Sequence, residues 1–124
     1  EQYTIGLAAD QNPGSPSKAY WLNFFNKPAP FVTGPDKGAR KNNTAVVFVR
    51  FVKVKRGYYR FDSELITENA AELPEGKLTL LYRDFLEETI KKNPDNYLWS
   101  HRRWKWPYKS AYEKRWIDTA PAPF

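Results

Sequence analysis

Apolar and polar positions fall in blocks along the chain, and the period of each block predicts an element. Residues 3–9, Tyr-Thr-Ile-Gly-Leu-Ala-Ala, form a short apolar run compatible with a β-strand and halted by Asp10. Residues 10–18 hold Pro13, Gly14 and Pro16 and read as a loop. Asp10 is then delivered at a strand's carboxyl end, where α/β sheets present functional loops, although an aspartate that only caps a turn has the same signature. Residues 19–25 are aromatic and irregular, and Pro28 and Pro30 follow them. Thr33-Gly34-Pro35-Asp36 has the form of a helix start, with Thr33 as N-cap and Pro35 in the first turn, and Asn42 and Asn43 end that helix.

Residues 45–54 read as a strand whose first half is apolar on both faces, while Lys53 and Lys55 put a later face in water. Arg56-Gly57 marks a turn, and over residues 58–66 Tyr59, Phe61 and Leu65 alternate with Tyr58, Arg60, Asp62 and Glu64. That is an antiparallel hairpin with one wet face. Residues 69–76 form a polar connector. Leu78, Leu81, Tyr82, Phe85, Leu86 and Thr89 then carry the period of an amphipathic helix over residues 78–93, stopped by Asn93-Pro94. Glu87 with Lys91 and Glu88 with Lys92 are favourably ordered pairs on its surface. Acids and bases are mixed there, unlike the cationic face of a membrane-binding helix. The tail over residues 107–124 carries prolines 107, 121 and 123 and is expected to be poorly packed at its end. The elements together predict an α/β fold: a mixed β-sheet with strands at 3–9, 45–54 and 58–66, and the 78–93 helix packed against it.

Composition narrows the chemistry. At 124 residues, 41% hydrophobic and 17% aromatic, the chain supports one core and is not a disordered segment. A formal net charge of +6 favours an anionic partner, or simply keeps a small domain soluble. The chain contains no cysteine and a single histidine, His101, which excludes disulfides, thiolate metal sites and multi-histidine zinc sites. The longest apolar run, residues 45–49, is far short of the ~20 residues that span a bilayer. No signal peptide is recognisable, and the opening at Glu1 on a strand-like segment suggests a cut through a longer protein.

The densest chemistry is Trp99-Ser100-His101-Arg102-Arg103-Trp104-Lys105-Trp106. Three cations there need partners if buried, yet three indoles are too apolar for ordinary solvated surface. Guanidinium forks beside amphipathic rings suit a phosphate at a wet, partly apolar boundary, as in a lipid head group or a nucleic acid. Arg102 and Arg103, being adjacent, must point in different directions. One is expected to pair internally with a carboxylate, Asp10 or Asp95, and the other to face solvent or phosphate. Ser100 beside His101 is not a catalytic pair, because triads are built from spatial and not sequential neighbours; His101 is expected to be a hydrogen-bonded structural residue.

Two motifs carry a family resemblance. The first is Ala9-Asp10-Gln11-Asn12-Pro13-Gly14, followed by Asn23-Phe24-Phe25-Asn26; the second is Pro94-Asp95-Asn96-Tyr97-Leu98-Trp99-Ser100-His101-Arg102-Arg103-Trp104-Lys105. Between them stand Thr33-Gly34-Pro35 and the block at residues 39–47. Over residues 3–106 the chain resembles the lipid A biosynthesis acyltransferases of the lysophospholipid acyltransferase superfamily. The resemblance implies the C-terminal part of a glycerol-3-phosphate-acyltransferase-like fold, with residues 1–106 in the acyltransferase domain and 107–124 as a tail. It implies transfer of a fatty acyl chain from an acyl carrier protein or CoA thioester to a hydroxyl of a lipid A precursor, without a metal or other cofactor. A parent enzyme would lie at the cytoplasmic face of the inner membrane, held by an N-terminal anchor. The superfamily's base, the histidine of a His-x-x-x-x-Asp/Glu motif, has no counterpart here: Lys105-Trp106 follows His101 where the acid would stand. No catalytic residue is therefore assigned in this chain, which by itself should be inactive. Asp10, Gln11, Gly14, Lys18, Arg102 and Arg103 are the substrate-binding candidates. Asp10 would orient a cation such as Lys18, and Gln11 with the amides around Gly14 would contact a phosphate or acyl carbonyl. Asn26 departs from the family's usual glycine after the paired aromatics. The competing reading is a small basic, aromatic-rich nucleic-acid- or membrane-binding module; no RRM, KH or helix-turn-helix signature supports nucleic acid. Loss of the N-terminal half would uncover apolar surface and favour self-association.

Overall fold

The computed structural model describes residues 2, 4–96 and 101–123. Two antiparallel hairpins flank one long helix. The first hairpin is β1 (Tyr20–Phe24) with β2 (Lys27–Phe31), and the second is β3 (Val46–Lys55) with β4 (Tyr58–Thr67). Helix α1 (Gly34–Asn42) joins the hairpins, and α2 (Lys77–Lys92) follows the second. The expected single mixed sheet is thus two separate two-stranded sheets. Short 3-10 turns at Pro16–Lys18, Ala70–Glu72, Pro94–Asn96 and Ser110–Arg115 complete the structure.

The strand expected at residues 3–9 is absent: positions 4–9 are irregular and largely exposed, with Ile5 and Leu7 each 67% accessible. Among the described residues no strand pairs with this run, and an apolar run without a partner strand has no ladder to join. Asp10 accordingly follows a coil. The irregular stretch expected at residues 19–25 is instead β1, with Tyr20, Trp21, Leu22 and Phe24 buried. Its partner tolerates Pro28 and Pro30 because β2 is an edge strand, where a missing N–H costs no ladder bond. Phe25 and Asn26 close this hairpin with φ of 49° and 62°. Two left-handed residues match the twist of the strands, and Asn26 supports that conformation without glycine. The bulkier Phe25 is held by its N–H donating to Glu87 Oε1 at 2.7 Å and by an edge contact with Phe24 at 4.7 Å. Glu87 is thereby drawn to the turn, and only the Glu88–Lys92 pair, at 2.7 Å, forms as expected on α2.

Both hairpins pack on α2. Leu86 and Ile90 join Leu22, Phe24, Ala29 and Phe31, whereas Leu78 and Phe85 join Phe48. Thr33 precedes α1 without a side-chain capping bond, and Asn43 ends the helix in the left-handed conformation. The outer face of the second hairpin carries Val47, Val49 and Phe51 opposite Leu65, Ser63 and Phe61, all exposed, with Phe61 71% accessible. The alternation made Tyr59, Phe61 and Leu65 the apolar face of this hairpin, yet that face is exposed and Phe48 and Val52 on the opposite face are the buried positions.

The tail packs as far as residue 118, and residues 119–123, its end, are largely exposed. Residues 107–118 form a strap over the outer face of β1: Tyr112 stacks on Trp21 at 5.1 Å, and Tyr108 meets it edge-on at 5.5 Å. The Ile117 N–H donates to the Trp21 carbonyl at 3.0 Å. Asp118 accepts from the Asn23 N–H at 2.9 Å and from Arg83 Nη1 at 2.8 Å. Proline at 107 interrupts hydrogen bonding only locally, while the aromatic residues after it have a groove to fill. Trp21 reaches zero exposure because the strap covers it.

Candidate functional site

Asn12, in the loop before β1, has a carboxamide with both a donor and an acceptor. Its backbone N–H donates to His101 Nε2 at 3.2 Å, and its Nδ2 donates to the Arg102 carbonyl at 2.7 Å. Its Oδ1 accepts from Arg103 Nη1. One residue of the first motif thus clamps three consecutive residues of the second. His101 is thus a hydrogen-bonded residue holding the loop, as the sequence led us to expect.

The two arginines separate as their adjacency requires. Arg102 is exposed; Arg103 is 1% accessible. The Arg103 guanidinium lies 4.1 Å from the Phe31 ring centroid and 5.6 Å from that of Phe24, within cation–π range of both. Among the described residues no ion pair joins it to Asp10 or Asp95, and the loop presents the Asn12 amide to it. Trp104 then packs on Phe24 at 5.7 Å. The second motif is therefore anchored by Arg103 and Trp104 on the β1–β2 hairpin and by Asn12 on the loop. Trp99 and Ser100, half of the expected aromatic–hydroxyl cluster, lie outside the described residues.

Of the other candidates, Asp10 is half-buried, while Gln11, Gly14 and Lys18 are exposed on the same loop. Open space surrounds the position a Cβ would take on Gly14, so close backbone packing does not demand glycine there. Sequence reasoning placed functional weight on Asp10 and Gln11 and passed over Asn12. The available signal was modest: a carboxamide before proline in a Gly/Pro loop, able to make more bonds than a turn needs.

A second polar cluster lies at the junction of β1, α1 and the turn before α2. Tyr20 Oη lies 3.1 Å from Asp36 Oδ2 and 3.1 Å from Glu75 Oε1. The buried Asp36 also pairs with Arg40 at 3.0 Å. Burial and the two carboxylates push the Tyr20 hydroxyl well above the ordinary phenol range, so it remains a proton donor. At the strap, burial raises the Asp118 carboxyl, but the Arg83 hydrogen bond and charge and the Asn23 N–H outweigh it and hold the group below the usual range.

These features define an α/β chain in which a Gly/Pro loop and a cationic aromatic segment form one unit. The model of the bacterial lipid A biosynthesis acyltransferase family matches residues 1–106, which takes in both motifs and the clamp between them. The chain belongs to this family. No curated protein and no solved structure matches it.

Proposed function

We propose that this chain is the C-terminal part of an acyltransferase domain that moves a fatty acyl chain from a thioester, on acyl carrier protein or CoA, to a hydroxyl of a lipid A precursor. The Asn12 clamp carries this reading, because it ties together the two motifs on which the family likeness rests. In the reaction the hydroxyl attacks the thioester carbonyl, the carbon–oxygen ester bond forms and the thiolate leaves. The proton of the hydroxyl goes to a base, the histidine of a His-x-x-x-x-Asp/Glu motif outside these residues. The part given to this chain is positioning. Lys18 and Arg102 face a precursor phosphate, Gln11 and the amides around Gly14 face a phosphate or acyl carbonyl, and Asp10 orients a neighbouring cation. Arg103 holds the segment in place. The fold of the parent is glycerol-3-phosphate-acyltransferase-like, and its site is the cytoplasmic face of the inner membrane. Among the described residues no helix is long and apolar enough to cross a membrane.

The test has two arms. Incubated with acyl thioester and lipid A precursor, the chain alone should give no acylated product; turnover abolished by His101→Ala would sink the assignment of the base. Expressed in a strain lacking secondary lipid A acylation, the gene product that contains this chain should add one acyl chain, read by mass spectrometry of lipid A. One observation favours the competing membrane-module reading: the exposed β3–β4 face ends at Lys53, Lys55 and Arg56. Binding to anionic vesicles by a gene product that leaves lipid A unchanged would decide for it.

A further inference from the structure

The end of the tail, beyond the residues matched by the family, turns back on the second motif. The Asp118 carboxylate accepts from the Ala120 N–H, and Trp116 Nε1 donates to the Ala120 carbonyl at 2.7 Å. Both backbone groups of Ala120 are thereby held. Past it the chain reaches a groove of about 350 Å³, which Pro123 lines together with Trp104, Trp106, Pro107, Tyr108 and Pro28. Lys27 lies over the Trp104 ring at 5.9 Å and Lys105 over the Trp106 ring at 5.0 Å, which disfavours a cationic guest.

Rings and prolines make this groove apolar, and an apolar lining alone selects no guest. The segment seated on it does. In Ala120-Pro121-Ala122-Pro123 every residue is a proline or precedes one, which confines all four to extended, polyproline-type backbone. Such a segment offers carbonyl acceptors and few N–H groups, and it docks in aromatic-lined grooves because it has little conformational freedom left to lose. Trp106 carries the complementary group, an indole N–H with no acceptor among the described residues. Pro121 and Pro123 are exposed, so the tail is held on one side only. We propose that this groove is a docking site for a proline-containing extended peptide, and that residues 120–123 of the same chain are its exchangeable occupant beside Trp104 of the second motif. The assignment is independent of the acyltransferase reading.

The test uses the full 15N-labelled chain and the peptide Thr-Ala-Pro-Ala-Pro, with the indole N–H signals of Trp104 and Trp106 as the readout. Pro121→Gly with Pro123→Gly should shift those two signals and leave that of Trp21, sealed beneath the strap, in place. The peptide should then bind this variant saturably and return both signals toward their parent positions. The parent chain, whose tethered tail competes, should bind the peptide about tenfold more weakly. Trp106→Ala should abolish peptide binding; that ring belongs to neither core cluster, and an unmoved Trp21 signal checks that the variant is folded. Should it unfold, Trp106→Phe, which keeps a ring and removes the N–H, should weaken binding severalfold. Unchanged Trp104 and Trp106 signals in the proline variant overturn the docked tail. Equal binding of Thr-Ala-Ala-Ala-Ala, or binding undiminished in the Trp106 variants, overturns proline recognition. Parent signals that move with protein concentration would give the groove to the tail of a second copy and overturn the assignment within one chain. A shift of both indoles by laurate, with none by the peptide, overturns it in favour of an acyl chain.

Discussion

At Asn12 a single carboxamide serves a carbonyl and a guanidinium while its own N–H serves an imidazole. Asn12→Ala removes the two side-chain bonds and should cost about 1–3 kcal/mol, since it takes a partner from a buried guanidinium. Arg103→Ala should cost more, about 3–5 kcal/mol, and Arg103→Lys should not rescue it because an ammonium lacks the planar fork. Arg102→Ala should leave urea unfolding within about 0.5 kcal/mol of the parent and instead weaken binding to anionic lipid by about 1 kcal/mol. If the two arginine variants unfold alike, the division of labour is wrong. The sequence could predict that these arginines must diverge, because adjacency is a local fact. It could not reveal which one goes inside, or that an amide would receive it, because those depend on a loop far away in the chain. Asp118 gives a pH signature. Its native carboxyl titrates below its unfolded value, so the stability from the Arg83 pair is complete above the ordinary carboxylate range and is lost as pH falls through the native value. Acid titration of Asp118→Asn, followed by circular dichroism, should show a shallower loss of stability below about pH 4 than the parent.

Elements with a strong local period were legible and those defined by their partners were not. The β3–β4 hairpin and α2 follow from alternation, a Gly turn and a clear amphipathic repeat, and both lie within a residue or two of their expected bounds. β1 has no polar alternation because α2 and the strap cover its two faces, and a strand buried on both sides loses the period that would announce it. Residues 4–9 show the converse, an apolar stretch with no strand beside it among the described residues. In the tail the prolines mark only the loose end, whereas Tyr108, Tyr112 and Trp116 mark the strap before it. Its contribution can be measured. Trp21→Ala should destabilise by about 3–5 kcal/mol, as a buried indole does, and removing residues 107–124 should lower the unfolding midpoint at least as far.

For the whole molecule, the exposed ladder of Val47, Val49, Phe51, Phe61 and Leu65 is the surface through which copies of the chain are expected to associate. Sedimentation velocity should show association that grows with concentration, and Phe51→Lys with Phe61→Glu should abolish it while leaving the far-ultraviolet spectrum unchanged. Persistent association in that double variant would place the contact elsewhere. The strap has a different consequence, for the order of events during synthesis. The bond from the Asn23 N–H to Asp118 closes a separation of 95 residues, and the Trp21 indole is sealed only by the same late segment. The ribosome must therefore have released residue 118 before β1 acquires its second cover. Until then the nascent chain carries an open aromatic strand that only a much later segment can close.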